Sequence, residues 1–457
     1  MSDQLNAVKQ TAPWRTGMRG FYLLWAGQFV SIFASRMTRF AITLWAWDLT
    51  GTATGLVLVG VASFVPGVVL SPFAGTLVDR WNRKLVLALS DAGAAFSALM
   101  LLLLFASGRV EIWHLYVLGA ISGGFGAFQY PAYSAVVTTM VPRDQYSRAN
   151  GMRSVVGSAS GIGAPLLAGV LLAVVDIPTI LLTDLVTFFL ALAILFVIVI
   201  PPPARSEEGE LARGSLWGET IGGLRYVLDR HSLVAIFLLF TLSNVATGFG
   251  FPLQDPMVLA KAANDSVVLG LVHSAGSVGY VAGGLLMSLW GGPRRRINLI
   301  NTGFILWGLL GTLVFGTGWT LSVWLIGAFF MAVFNPIVNS AYIAILQDKV
   351  APDMQGRIFG LENMVSNVSF PVGQVAAGLL ADNVMEPALA PNGVLAPLLG
   401  PLTGTGVGAG MGAIIIFAGA VSILTGVAGY LIPSIRQIES ILPNQPTVGA
   451  EAGAAGD

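Results

Sequence analysis

Two arginines three residues apart, Arg36 and Arg39, interrupt an apolar stretch running from Phe21 to Trp47, and aspartates Asp91 and Asp184 interrupt two others. At 1.5 Å of rise per residue the arginines lie roughly 20–30 Å along a helix entered at Phe21. Their spacing puts them on one face, which Ser35, Thr38 and Gln28 partly share. Intramembrane charge is costly and defaults to a functional or paired role, although Arg39 could equally snorkel to the interface. A desolvated carboxylate holds a proton more readily, as proton coupling requires, whereas an arginine neighbour fixes it as half of an ion pair. Asp184 paired with Arg36 would be structural and would leave Asp91 the better proton carrier; both are candidates for coupling. Asp48, Asp255, Glu362 and Asp382 stand at span ends.

Other chemistries find no residues. There is no cysteine, His114, His231 and His273 are far apart, and no phosphate loop of the Gly-x-x-x-x-Gly-Lys-Ser/Thr type occurs. No catalytic group, metal or cofactor is expected, and the chain does not read as an enzyme.

The elements that must position these charges follow from composition. Soluble domains carry about 25% charged residues; this chain of 457 residues carries 10%, with 55% hydrophobic and a mean hydropathy of +0.78. Lipid, not water, has to solvate it. Apolar segments long enough to span fall at Phe21–Trp47, Ala53–Val78, Leu85–Ser107, Ile112–Val141, Met152–Val175, Thr179–Ile200, Leu233–Pro256, Val267–Trp290, Ile297–Gly316, Thr320–Leu346, Ile358–Asp382 and Met411–Ile432. Without period-two alternation they are helices, because backbone groups in lipid must be satisfied within each segment. With a cytoplasmic N-terminus the inner connections hold nineteen lysines and arginines, from Lys9 to Arg436, against Arg109 and Lys261 outside. Polar Met1–Gly20 lacks a cleavable-signal pattern, so insertion is expected to begin with the first span. A net charge of zero argues against nucleic acid as a partner.

The halves repeat at an offset of 209: Gly75 and Leu77 fall on Gly284 and Leu286, Arg148 and Gly151 on Arg357 and Gly360, Ala168 and Gly169 on Ala377 and Gly378. Parallel repeats of this kind are a transporter architecture. The expected fold is an all-α membrane protein, with twelve transmembrane helices in two pseudo-symmetric six-helix bundles at 21–200 and 231–434. A cytoplasmic segment 1–20, a cytoplasmic linker 201–230 opening on three prolines, an irregular extracellular loop 383–410 and a disordered cytoplasmic tail 435–457 complete it.

The loop between the second and third spans reads Gly75-Thr76-Leu77-Val78-Asp79-Arg80-Trp81-Asn82-Arg83-Lys84. Gly-x-Leu-x-Asp-Arg-x-x-Arg-Lys at this place resembles the signature loop of the major facilitator superfamily, and the resemblance covers about Gly20 to Pro433. It implies a gating loop in which Gly75 permits close packing while Asp79, Arg80, Arg83 and Lys84 break and remake a latch as the halves rock. Plain positive-inside anchoring would use the same bases. In the second half Ser288 stands where Asp79 would, and the bases appear as Arg294-Arg295-Arg296.

Within the superfamily, Leu24-Trp25-Ala26-Gly27-Gln28, Leu49-Thr50-Gly51, Gln129-Tyr130-Pro131-Ala132-Tyr133-Ser134 and Arg148-Ala149-Asn150-Gly151-Met152 look like the macrolide-efflux type of drug:proton antiporters. Siderophore exporters and lysophospholipid transporters look similar. The fifth span, with Gly157, Gly161, Gly163, Pro165, Ala168 and Gly169, resembles a degenerate antiporter motif and would also serve simple tight packing. By resemblance the first, fourth, seventh and tenth spans line the cavity, offering Gln28, Arg36, Gln129, Tyr133, Asn244, Asn335 and Asn339 to a substrate. An apolar wall with few polar groups suits an amphiphile better than an ion or sugar, while any one of these groups could instead hydrogen-bond between helices.

These readings together describe a monomeric, multi-pass cell-membrane (plasma or inner membrane) transporter with both termini cytoplasmic. It would exchange protons for a small hydrophobic or amphipathic compound by alternating access. An exporter or flippase of a specific metabolite, and a non-transporting membrane subunit, are the alternatives.

Overall fold

The structure, a computed structural model, describes residues 17–142, 145–200, 225, 227–350, 358 and 370–441, without the side chains of 72–73, 75–80, 83, 130, 134–135, 137–139, 146–147, 150–151 and 153. Among the described residues there is no strand. The segment before residue 17, most of the 201–230 linker, residues 359–369 of the eleventh expected span and the tail beyond 441 lie outside them.

The first half runs through α1 (Gly17–Thr50), α2 (Ala53–Arg80), α3 (Arg83–Ala106), α4 (Ile112–Gly126), α5 (Gln129–Met140), α6 (Tyr146–Leu171) and α7 (Ile177–Val197). The expected fourth span is therefore two helices. Pro131 has no N–H for the carbonyl four residues back, so the helical ladder is interrupted at Ala127–Phe128. The Asn82 side chain caps α3 by accepting the N–H of Lys84 and Leu85, and Asp176 caps α7 through the N–H of Thr179. That hydrogen bonding, led by the Thr179 hydroxyl, holds the Asp176 carboxyl below its ordinary range.

The second half comprises α8 (His231–Gly250), α9 (Gln254–Lys261), α10 (Ser266–Trp290), α11 (Arg296–Leu306), α12 (Leu321–Lys349), α13 (370–380), α14 (Ala396–Thr403) and α15 (Ala409–Leu431). Helix α11 continues through a π turn, Trp307–Leu313, to Gly316. A 3-10 turn at Phe251–Leu253, where Pro252 sits, divides α8 from α9. Shifted by 209, Ile112–Met140 lands on Leu321–Lys349, so the repeat is one of helices as well as letters.

Nine helices among the described residues are long and apolar enough to cross a membrane. The remaining expected spans are α1, 34 residues long but diluted by Gln28, Ser31, Ser35, Arg36, Thr38 and Arg39, the divided α4–α5, and the incompletely described eleventh.

By packing, the chain forms two compact units: Met1–Ser206 with Pro252–Ser277 and Gln374–Met411, and Glu207–Phe251 with Val278–Gly373 and Gly412–Asp457. The first unit has a core that includes Phe21, Leu87, Tyr133, Val136, Leu195 and Ile198. Small residues bring its helices together, as lipid offers no hydrophobic drive and contact must come from close packing. A Cβ on Gly169 would lie 2.5 Å from the Ser266 carbonyl, and one on Gly270 2.7 Å from that of Pro165. Gly169 of α6 and Gly270 of α10 thus let these two helices pack closely. In the second unit Leu233, Ile236, Phe304, Ile345 and Leu346 form the core. There Arg296 pairs with Asp348, and the Glu439 carboxylate accepts the N–H of Arg296 and Ile297 at the start of α11.

The 383–410 connection is more regular than expected. It contains α14 and is folded back by Glu386, whose two oxygens accept the N–H of Gly408 and Met411, each at 3.0 Å. Burial pushes the Glu386 carboxyl above its ordinary value against the pull of those donors.

Candidate functional site

Asp91 lies a little over two turns into α3 and is buried, as is Gln28 of α1. Gln28 donates from Nε2 to Asp91 Oδ2 at 2.8 Å, and Gln129 donates from Nε2 to Oδ1 at 2.9 Å. Gln129 is the first residue of α5, so the interruption before it sets its aim. Three helices thus meet on one carboxylate. Its oxygens are satisfied by two neutral amides, which supply hydrogen bonds but no countercharge.

Asp184, buried in α7, accepts a hydrogen bond from the Ser35 hydroxyl of α1 at 2.8 Å. It forms no ion pair with Arg36, and among the described residues neither Arg36 nor Arg39 has a carboxylate partner. Both arginines are exposed on α1. The Arg36 guanidinium lies against α6, where a Cβ on Gly161 would meet it at 3.1 Å and the Ser277 hydroxyl of α10 at 3.1 Å. That hydroxyl donates to the Gly161 carbonyl at 2.7 Å.

In the signature loop the side chains of Asp79, Arg80 and Arg83 lie outside the described residues, and the Gly75–Arg80 backbone is helical. Lys84 donates from Nζ to the carbonyls of Phe196 and Ile198, at 2.9 and 2.8 Å. It thereby caps the end of α7, where helix carbonyls lack partners. Two of the segments that carry the efflux resemblance also meet, as Trp25 Nε1 donates to the Met152 carbonyl at 2.9 Å; beside them Arg148 lies 5.5 Å over the Tyr22 ring.

The remaining polar candidates are placed differently. Tyr133 is buried in the first unit's core, its ring 6.4 Å from that of Phe21. Asn244, Asn335 and Asn339 belong to the second unit, where Asn339 Nδ2 donates to the Asn335 carbonyl one turn back on α12, at 2.9 Å. Sequence reading missed a pair. His273 Nε2 of α10 lies 2.9 Å from Asp255 Oδ1 of α9, with the Phe40 ring edge-on to the imidazole at 5.6 Å. In the sequence Asp255 reads only as a span-end charge, and nothing in an 18-residue separation signals the contact.

The clusters are pairs and triads of polar groups between long apolar helices, without a metal-binding group of His, Cys, Asp and Glu among the described residues. The family model described as Major Facilitator Superfamily matches residues 24–374. Macrolide efflux protein A of Streptococcus pyogenes is 25% identical over 370 residues, covering 80% of this chain and 90% of that protein. The enterobactin exporter EntS of Citrobacter koseri is 24% identical over 351 residues, covering 75% and 80%. Among solved structures, that of the nucleoside transporter NupG aligns with a TM-score of 0.62 at 13% identity, over 90% of this chain and 98% of that one. With the family match covering most of its length and long apolar helices throughout the described residues, the chain belongs to the Major Facilitator Superfamily and is a multi-pass membrane transporter, not an enzyme.

Proposed function

We propose that this transporter exports a hydrophobic or amphipathic compound in exchange for protons, with Asp91 as the proton carrier. The observation that carries this reading is the enclosure of its carboxylate by Gln28 and Gln129. Ionised, the group accepts from both amides. Protonated, it has an O–H of its own to place, and one glutamine has to turn over or withdraw. A single proton therefore alters how α3 is bonded to α1 and α5, and alternating access needs such a two-state link. Likeness to macrolide efflux protein A supports the substrate class and the outward direction. Likeness to the enterobactin exporter favours a second reading, export of a specific metabolite such as a siderophore.

In this reading the protein is a monomer in the plasma or inner membrane with both termini cytoplasmic. Its bundles, 21–200 and 231–434, rock about the linker while Asp79, Arg80 and Arg83 latch the cytoplasmic side. Asp79→Asn is expected to insert normally and to lower transport at least about tenfold, a loss of about 1.4 kcal/mol. Wild-type transport in that variant would remove the latch from the mechanism. For the function itself, the purified chain is placed in vesicles with an imposed pH gradient. Lumenal pH is then followed as macrolides, other amphiphiles and siderophores are added. Compound-dependent proton release is the expected result, and its absence across the panel would eliminate antiport.

A further inference from the structure

We propose that Asp382 is the latch of a second gate, at the end of α2 opposite the Gly75–Lys84 loop. Its carboxylate accepts the backbone N–H of Ala53 at 3.0 Å on one oxygen and that of Thr54 at 2.7 Å on the other, across more than 300 residues of sequence. These are the first two N–H groups of a 28-residue helix and have no partner within it. A carboxylate placed there satisfies both and meets the positive end of the helix dipole.

The surroundings are built for this approach. On the same helix, one turn before Asp382, a Cβ at Gly378 would lie 3.0 Å from Thr54 Cα. At Ala381–Met385 the helix passes into a π turn, which re-aims its side chains, and Asp382 is the second residue of that turn. Such turns gather at functional sites. Gly51, with φ of +59°, makes the sharp entry to α2 that leaves the Ala53 and Thr54 N–H groups open to the carboxylate.

Ala53 belongs to the second span of one repeat and Asp382 to the fifth of the other. In a transporter that opens its ends alternately, a bond between the repeats at one end has to break each time that end opens. Helix α2 therefore carries the Asp382 clasp at its Ala53 end, opposite the end where the Gly75–Lys84 loop lies. This inference rests on alternation alone, and neither on proton coupling nor on the substrate class.

The sequence has no cysteine, so a single introduced thiol reports without background. Ser274→Cys places it, buried, where the native hydroxyl donates to the Ile162 carbonyl of α6 at 2.7 Å, away from the clasp. A control thiol, Ser97→Cys, sits buried where the serine hydroxyl bonds the Leu118 carbonyl within the first half. Membrane-impermeant maleimide is added to right-side-out and to inside-out vesicles, without substrate or pH gradient. Asp382→Ala is expected to raise labelling of Ser274→Cys from the outer side by at least about 10-fold, the lower bound for losing a charge-assisted bond. Asp382→Asn, still able to accept one N–H, should fall between, and the control thiol should not change. Equal Ser274→Cys rates in all three backgrounds overturn the proposal. So does a parallel rise at the control thiol, which would report general loosening. Because the measurement uses no gradient, failure of the proton-coupled reading would leave its outcome intact.

Discussion

Asp91→Asn is expected to reach the membrane at the wild-type level, to bind substrate, and to release fewer protons per compound added by at least about tenfold. The replacement is nearly isosteric. Its carbonyl can still accept from Gln28 Nε2, and Gln129 can turn its amide to offer an oxygen to the new NH2 group, so no buried polar atom is left unmet. The structural cost should stay near that of one ordinary hydrogen bond, about 1 kcal/mol. What is lost is the titrating proton. Asp91→Leu makes the contrast: it orphans both glutamine amides at about 1–3 kcal/mol each, and should lower thermal stability as well as transport. Separating the two needs a thermal melt in detergent beside the vesicle proton assay. Wild-type proton flux in Asp91→Asn would remove the carrier role; a fall in flux matched by a fall in melting temperature would assign Asp91 to structure.

How much of this was open to a reader of the sequence differs by kind of interaction. Spans were legible because hydrocarbon forces each one to satisfy its own backbone and to be apolar for about 20 residues. Intramembrane charge was legible for the same reason, which singled out Arg36, Asp91 and Asp184. Partner choice was not. Gln28 and Gln129 were recognised as polar and cavity-lining by resemblance, but that both close on Asp91 depends on helices brought together across 63 and 38 residues. The Arg36–Asp184 pairing weighed from the sequence is not made, since Asp184 takes a hydroxyl from α1 and the guanidinium turns to α6. Pro131 was in view, yet the fourth span read as continuous, because hydropathy is blind to a missing donor. Asn82 falls on an unspecified position of the signature pattern, yet its side chain caps the start of α3. Asp382 looked like a helix-end charge because its partners are backbone N–H groups, which no side-chain pattern records.

Gly123→Val is expected to lower the yield of folded, monodisperse protein several-fold and to deplete what remains of transport. A Cβ at Gly123 would stand 1.8 Å from the Ser63 carbonyl oxygen and 2.7 Å from its carbon, both backbone atoms of α2 that no rotamer change can clear. The nearby contacts are as close: a Cβ at Gly119 would be 2.6 Å from the Ser63 hydroxyl oxygen, and one at Gly67 3.0 Å from the Gly123 carbonyl. Valine would have to push α2 and α4 apart along this seam, and overpacking costs about 1–3 kcal/mol or more when the obstacle is rigid. Set against a total stability of about 5–15 kcal/mol, that is a large share. The site suffers with the seam, because α4 leads directly into the interruption that aims Gln129 at Asp91. Gly60 supplies the control on the same helix as Ser63. Nothing lies within 4 Å of a Cβ there, so Gly60→Ala should melt within a few degrees of the wild type and transport normally. Indistinguishable melting curves for Gly123→Val and Gly60→Ala would mean that α2 and α4 do not meet backbone to backbone at Gly123, and that the placement of Gln129 has another cause.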